Sequence, residues 1–230
     1  EKISFREKTG YVVESISGSA KVGRGKTIIE NFQIHDLWSD LYLTYFMLSY
    51  KNVLAFQDFI NDVKIDAELT ESHLDFKTLS YFAPELKGNA LKADISGNMS
   101  GYIDGFNFNN FSFLSDAGGF SGTASGNITG LPDIETAVLD VDLKNFNITS
   151  RGLTDFLAEW TSEESKPDLS GYAPGVEFNI NAIGSGTLND LDLKTDVVSS
   201  SGSINADINL SDLLSQENAI GIAGKVRTKD

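Results

Sequence analysis

The sequence predicts a mainly β protein, an antiparallel meander of repeats with a few short helices, whose apolar faces form either a curved β-groove or a closed β-sandwich. Three observations carry this. Apolar side chains recur at every second position in several segments while the intervening positions are Asp, Asn, Lys, Glu or Ser, so each strand has one dry and one wet face. A sheet wet on one face is antiparallel, because a parallel sheet is buried on both sides. Glycine recurs where the strands must turn, at Gly18, Gly23, Gly25, Gly97, Gly101, Gly105, Gly130, Gly184, Gly186 and Gly202 among others. In two places the alternation also changes phase, from Phe108 to Phe111 and from Leu143 to Phe146, as a β-bulge does when it adds twist and curvature.

The elements follow in chain order. Asn52 to Asn61 reads as a short helix with Asn52 as N-cap and Val53, Phe56 and Ile60 on one face. Val63, Ile65, Ala67 and Leu69 alternate as a strand, and a second short helix is expected at 78–86, beginning in the block Thr78-Leu79-Ser80-Tyr81-Phe82. Leu91, Ala93 and Ile95 resume the alternation, followed by the two phase-shifted runs around Phe108 and around Leu139, Val141 and Leu143. At 152–160, Leu153, Phe156, Leu157 and Trp160 fall at i, i+3, i+4 and i+7, the single stripe of an amphipathic helix. Val176, Phe178, Ile180 and Ala182 and then Ile204, Ala206, Ile208 and Leu210 give further strands, with a last short helix near 210–216.

Segments repeat internally. Gly101 to Phe108 matches Gly186 to Leu193 in its order of Gly, apolar and polar positions. We expect an imperfect repeat of several strands and one short helix, present about two and a half times. The divisions are 1–87, 88–161 and a partial repeat at 162–230, joined as one continuous elongated β-domain.

Composition narrows the function classes. With 40% apolar residues in 230 the chain can bury a real core. Its 18 basic against 33 acidic residues give a net charge of −15, with the cations scattered, which excludes nucleic acid as a partner. The absence of cysteine removes disulfides, thiolate–metal sites and thiol catalysis. The N-terminus has no basic region leading into an apolar core, and no stretch approaches the roughly 18 apolar residues of a membrane helix. Glu1 and Asp230 both fall inside a strand-rich pattern, so the chain is expected to be an internal piece of something longer.

Three groups of residues carry a family resemblance: Tyr81 to Gly88, then Ile95-Ser96-Gly97 through Gly101, then Gly126-Asn127-Ile128-Thr129-Gly130-Leu131-Pro132-Asp133-Ile134-Glu135-Thr136. In that order they resemble the TamB-like proteins of Bacteroidetes, within the AsmA/TamB superfamily, over roughly 55–160; the flanks resemble it only in their repeat pattern. The resemblance implies a large envelope protein of a diderm bacterium, held by an N-terminal helix in the inner membrane and crossing the periplasm as a long, U-shaped β-sheet with an apolar interior. It further implies roles in moving phospholipid to the outer membrane and in outer-membrane protein assembly, with an outer-membrane partner of the Omp85 type met by parts of the protein absent from this chain. This chain would be a periplasmic segment.

The expected function is therefore a hydrophobic conduit for phospholipid or other acyl chains. Its candidate lining is Ile95, Phe106, Phe108, Phe111, Phe113, Val141, Phe146, Phe178, Ile180, Leu191, Leu193, Ile204 and Ile208. Periodicity alone favours a closed β-sandwich, whose two inner faces alternate in the same way, and the resemblance reverses that weighting. The alternative function is a scaffold that binds another protein by β-strand augmentation.

No enzyme is expected, and no cofactor. His35 and His73 lie in separate segments without the spacing of a zinc motif and read as surface histidines. The many Asp and Glu occupy the wet phase of strands, Gly118-Gly119 and Gly122 precede no long helix, and Asn189-Asp190 lacks the pattern of a calcium loop. Catalytic and metal residues are expected to be none.

Overall fold

A computed structural model of the chain describes residues 3–6, 10–82, 86–116, 119–159, 175–212 and 221–229. Thirteen strands form one antiparallel sheet in which each strand pairs with its neighbours in sequence. In chain order they are β1 (Ile3–Arg6), β2 (Val12–Gly23), β3 (Lys26–Asp36), β4 (Asp40–Tyr50), β5 (Val63–Asp75), β6 (Lys92–Tyr102), β7 (Gly105–Ser115), β8 (Phe120–Thr129), β9 (Val138–Thr149), β10 (Glu177–Thr187), β11 (Asp190–Ser199), β12 (Gly202–Ser211) and β13 (Gly221–Lys229). A closed β-sandwich needs a second sheet, and the described strands make only one. Its edges, β1 and β13, do not pair with each other.

Both expected bulges are present, and they belong to a series. One extra residue interrupts the register at Asn31 in β3, Glu71 in β5, Asn110 in β7 and Asn145 in β9, and each has φ between 46° and 51°. Asn tolerates this left-handed conformation better than most residues because its short side chain bonds locally. The extra backbone donor is satisfied nearby: Asn110 N–H donates to Ser125 Oγ at 2.9 Å and Asn145 N–H to Asn181 Oδ1 at 3.0 Å. From β10 onward the pairings with β11, β12 and β13 run without interruption. Bulges bend and twist a strand, so the curvature they impose is concentrated between β3 and β9.

The consequence is visible in the core. Phe32, Leu43, Ala67, Leu69, Ala93 and Ile95, all on one face of β3–β6, are buried in a single cluster, with Ile16 of β2 and Phe111 and Phe113 of β7 packed against it. A flat single-layer sheet cannot bury side chains this deeply, so between β2 and β7 the apolar face curves onto itself. Toward the other edge it opens: Ile204 is 39% exposed and Ile222 72%.

Short helices sit at the strand ends. Asn52 caps the first as expected, its Oδ1 accepting from Leu54 N–H at 2.8 Å. The segment runs as a 3-10 helix, Val53–Asp58, into the single turn α1 (Phe59–Asp62). Phe56 packs on Tyr50 with ring centroids 4.8 Å apart, whereas Val53, expected on the same buried face, points into solvent.

The second helix, α2, is Phe76–Leu79, earlier and shorter than the expected 78–86. Its start is set by the fully buried Asp75, whose Oδ1 accepts from Lys77 N–H at 2.8 Å. Residues 83–85 of the expected span lie outside the described residues. The third helix, α3, is Ser150–Ala158 rather than 152–160; Gly152 N–H donates to Thr149 Oγ1, so the cap lies on the strand residue before it. The helix expected near 210–216 is corrected in part: Leu210 and Ser211 are the last residues of β12, paired with Leu191 and Asp190, and 213–216 lie outside the described residues.

The internal match has a structural counterpart. Gly101 is the second-last residue of β6 and Gly186 that of β10, four strands apart, with φ of 141° and 138°. At each, an added Cβ would run into the carbonyl oxygen of the residue opening the next strand, Gly105 or Asp190. Helices α2 and α3 likewise follow β5 and β9, four strands apart and at the same end of the sheet.

Candidate functional site

Residues directly opposite in an antiparallel pair point to the same face, so the register identifies what shares the apolar surface. Phe106 lies opposite Ile128, which continues through Leu139, Gly186, Leu191 and Leu210 to Ile222. A second row runs Phe108, Gly126, Val141, Gly184, Leu193, Ile208 and Gly224, and a third Phe111, Ala124, Leu143, Ala182, Thr195, Ala206 and Val226. Phe146 opposes Ile180, then Val197 and Ile204; Ile148 opposes Phe178; Ile95 opposes Phe113. All thirteen residues named from the sequence therefore stand on one face, Ile95 within the packed cluster and Ile204 at its open side.

Large and small side chains alternate along the second and third rows. Phe108 and Phe113 lie over Gly126 and Gly122, where an added Cβ would come 2.9 Å from each ring's Cζ; Leu193 and Val141 crowd Gly184 in the same way. The aromatic rings thus fold down across the neighbouring strand and shield its backbone. One end of the face is closed by an aromatic group in which Phe113, Phe120 and Phe146 have centroids 5.9–6.2 Å apart, with Phe156 of α3 lying 5.5 Å from Phe120. Of the stripe expected on α3, Phe156 reaches the apolar face, while the side chains of Leu157 and Trp160 lie outside what the structure describes.

The same end holds a buried polar network. Asp36 Oδ2 accepts from Tyr11 Oη at 3.0 Å and from Thr78 Oγ1 at 2.9 Å, and its Oδ1 accepts from the N–H groups of Trp38 and Ser39, both at 2.7 Å. Burial, then the bond to Asp36, raises the Tyr11 hydroxyl pKa far above its ordinary value. Tyr11 also meets Tyr81 and Phe82 at 5.5 and 5.1 Å, and Tyr81 stacks on Trp38 at 5.7 Å. These groups tie β2, the β3–β4 turn and α2 into one plug. The sequence reading did not find it, because its members are up to 71 residues apart and no local spacing marks them.

The opposite face is polar. A depression of about 510 Å³ lies there across β9–β13, where Lys144, Lys194, Lys225 and Arg227 alternate with Asp142, Asp196 and Asp207. The two histidines also lie on this face, each set among carboxylates by register. His35 Nδ1 bonds Asp40 and its Nε2 lies 3.2 Å from Glu14 Oε2; His73 Nδ1 lies 3.0 Å from Asp94 Oδ1 and 3.5 Å from Asp116 Oδ1. The Asp40 bond raises the His35 pKa, with its slight burial opposing. His73, Asp94 and Asp116 offer ligand atoms within 4.8 Å of one another, a grouping that linear spacing did not reveal. All three remain open to solvent, and pairing of a histidine with two carboxylates accounts for the geometry.

No helix among the described residues is long and apolar enough to cross a membrane. No protein-family model, curated protein or solved structure matches this chain.

Proposed function

We propose that the apolar face carries acyl chains, as a periplasmic segment of an AsmA/TamB-like envelope protein that moves phospholipid between the inner and outer membranes. One observation supports this most: the apolar rows continue without a polar break from β7 to β10 and stay apolar but for Thr195 and Thr228 out to β13, while no second sheet among the described residues covers them. Each methylene moved from water to such a surface contributes about 0.8 kcal/mol, so a short acyl segment is held without any headgroup contact. The alternating Gly and Ala positions leave depth between the larger side chains, and the open side at β12 and β13 gives access.

The test is extraction of the purified protein with organic solvent followed by mass spectrometry. Co-purifying phospholipid, displaced by an excess of a fluorescent acyl probe, supports the conduit. Protein free of lipid that also fails to take up the probe refutes it.

A second reading, strand addition by an outer-membrane protein or a further repeat, is favoured by β13, which pairs only with β12 over Gly221–Lys229 and leaves its other edge unpartnered among the described strands. Proline at an outward-donating position of β13 blocks strand addition but leaves acyl binding intact, which separates the two.

A further inference from the structure

At the sheet end opposite the aromatic plug, two connections form a tip unlike the rest of the molecule. One is the β2–β3 turn, the other the 3-10 helix after β4. Tyr50 N–H donates to Gly25 O at 2.9 Å and Tyr50 Oη meets Thr27 Oγ1 at 3.0 Å, which locks them side by side. Phe56 folds back on Tyr50 and so anchors the helix. What the helix leaves outward is apolar, Val53 being 75% exposed and Leu54 63%, while Val22, 78% exposed, ends the Phe106 row of the apolar face through Gly101, Ile65, Leu48 and Thr27. Other apolar side chains are as exposed, Ile183 at 63% and Ile222 at 72% among them, but those lie within strands, whereas Val53 and Leu54 stand on a helix that leaves the sheet.

The charge of the tip is as distinctive. Residues 20–27 contain Lys21, Arg24 and Lys26 and no acid, and residues 50–58 contain Lys51 with Asp58 at the end of the helix, so the tip is net basic in a chain where acids outnumber bases 33 to 18. Lys21 is bonded to Glu30 at 2.8 Å, whereas Arg24, Lys26 and Lys51 are exposed and take part in no ion pair among the described residues. Exposed Val and Leu ringed by cations are the combination that partitions into an anionic lipid surface, with the apolar side chains entering the acyl boundary and the cations meeting phosphate. A net charge of −15 would otherwise repel such a surface.

We propose that this tip docks on an anionic phospholipid surface, with Val53 and Leu54 inserted and Arg24, Lys26 and Lys51 held against the headgroups. The site is separate from the apolar face and stands whether or not that face carries acyl chains.

The test is co-sedimentation of the chain with vesicles of phosphatidylcholine containing phosphatidylglycerol, against vesicles of phosphatidylcholine alone. The expected result is binding to the first only, weakened by salt, reduced about tenfold or more by Arg24→Glu with Lys26→Glu, and lost in Leu54→Asp. Leu54→Trp gives an independent readout, since insertion shifts its emission to the blue. Absence of binding to anionic vesicles, equal binding by the charge-reversed variant, or an unshifted Leu54→Trp spectrum with vesicles bound would each overturn the proposal. So would capture of a polyglutamate peptide by a tip that ignores vesicles, which would reassign it to an acidic protein. Circular dichroism establishes that each variant folds, and Ile183→Ser, on the polar face, should bind vesicles like the parent chain.

Discussion

Phe108 lies across Gly126 on the next strand, so close that a methyl group added at Gly126 would sit 2.9 Å from the ring and would also meet the carbonyl of Asp140. The ring can swing away; the backbone carbonyl cannot. Gly126→Ala is therefore expected to destabilise the sheet by about 1–3 kcal/mol. Gly105→Ala, where an added methyl meets nothing within 4 Å, should stay within about 0.5 kcal/mol of the parent. Urea denaturation of the two variants side by side checks this, and equal midpoints would show that the ring is not seated on the glycine.

The bulge at Asn145 makes a second prediction. Its φ of 49° suits Asn or Gly, and a β-branched residue there is strained by about 1–2 kcal/mol. Asn145→Val should lower stability by that amount while Asn145→Gly changes it little. Deletion of Asn145 is more severe: Lys144 alone then opposes Asn181 and Phe146 stays on the apolar face, but the local bend that sets Phe146 against Phe113 and Phe120 is removed. Loss of near-ultraviolet dichroism from the Phe113, Phe120 and Phe146 group is the expected sign.

How far such features could be read from the chain depended on whether the bulge moved an apolar residue. At Asn110 and Asn145 the dry phase jumps from one aromatic or leucine to the next, so the break shows in the sequence. At Glu71 the dry phase resumes on Ser72, a polar residue that hides the jump even though it is fully buried. Ser72 Oγ occupies its dry position by accepting from Tyr42 N–H at 2.9 Å on the neighbouring strand, a partner 30 residues away. The rows of the apolar face were legible because period two is a local property. The Tyr11–Asp36–Thr78 network was not, since it exists only after the β3–β4 turn and α2 have been brought together.

That network is expected to stabilise the closed end strongly. Asp36 accepts four hydrogen bonds, so Asp36→Ala strands four donors in a buried setting and should cost at least about 3 kcal/mol. Tyr11→Phe removes one donor and leaves the rest, for about 1 kcal/mol. The ratio of the two losses, measured by chemical denaturation, tests whether Asp36 is the hub.

His35 gives a pH dependence whose sign is fixed by its partners. Both ring nitrogens face carboxylates, which only accept, so both contacts are made by the imidazolium. The unfolded side chain titrates near 6.5 and the folded one higher. Its contribution is therefore complete below pH 6.5 and disappears as pH rises through the folded value. The ring is about half exposed, so screening limits the effect to about 1 kcal/mol or less. Melting curves across that window should fall more steeply for the parent than for His35→Gln; parallel curves would mean that Glu14 and Asp40 leave the ring uncharged.

The proposed conduit predicts an asymmetry between faces. Ile204 and Ile183 are both exposed isoleucines in the more open half of the sheet, but register places Ile204 in the row of Phe146, Ile180 and Val197, whereas Ile183 lies opposite Asp142 and Lys194 on the polar side. Arginine at either position is tolerated by the fold, since neither side chain is buried. At position 204 it sets a charge in the path of an acyl chain, whose desolvation opposes occupancy, and at 183 it joins an already charged surface. Ile204→Arg should weaken uptake of a fluorescent acyl probe about tenfold or more while Ile183→Arg leaves it unchanged. Equal affinity in the two variants would remove the apolar rows as the binding surface, even if lipid still co-purified.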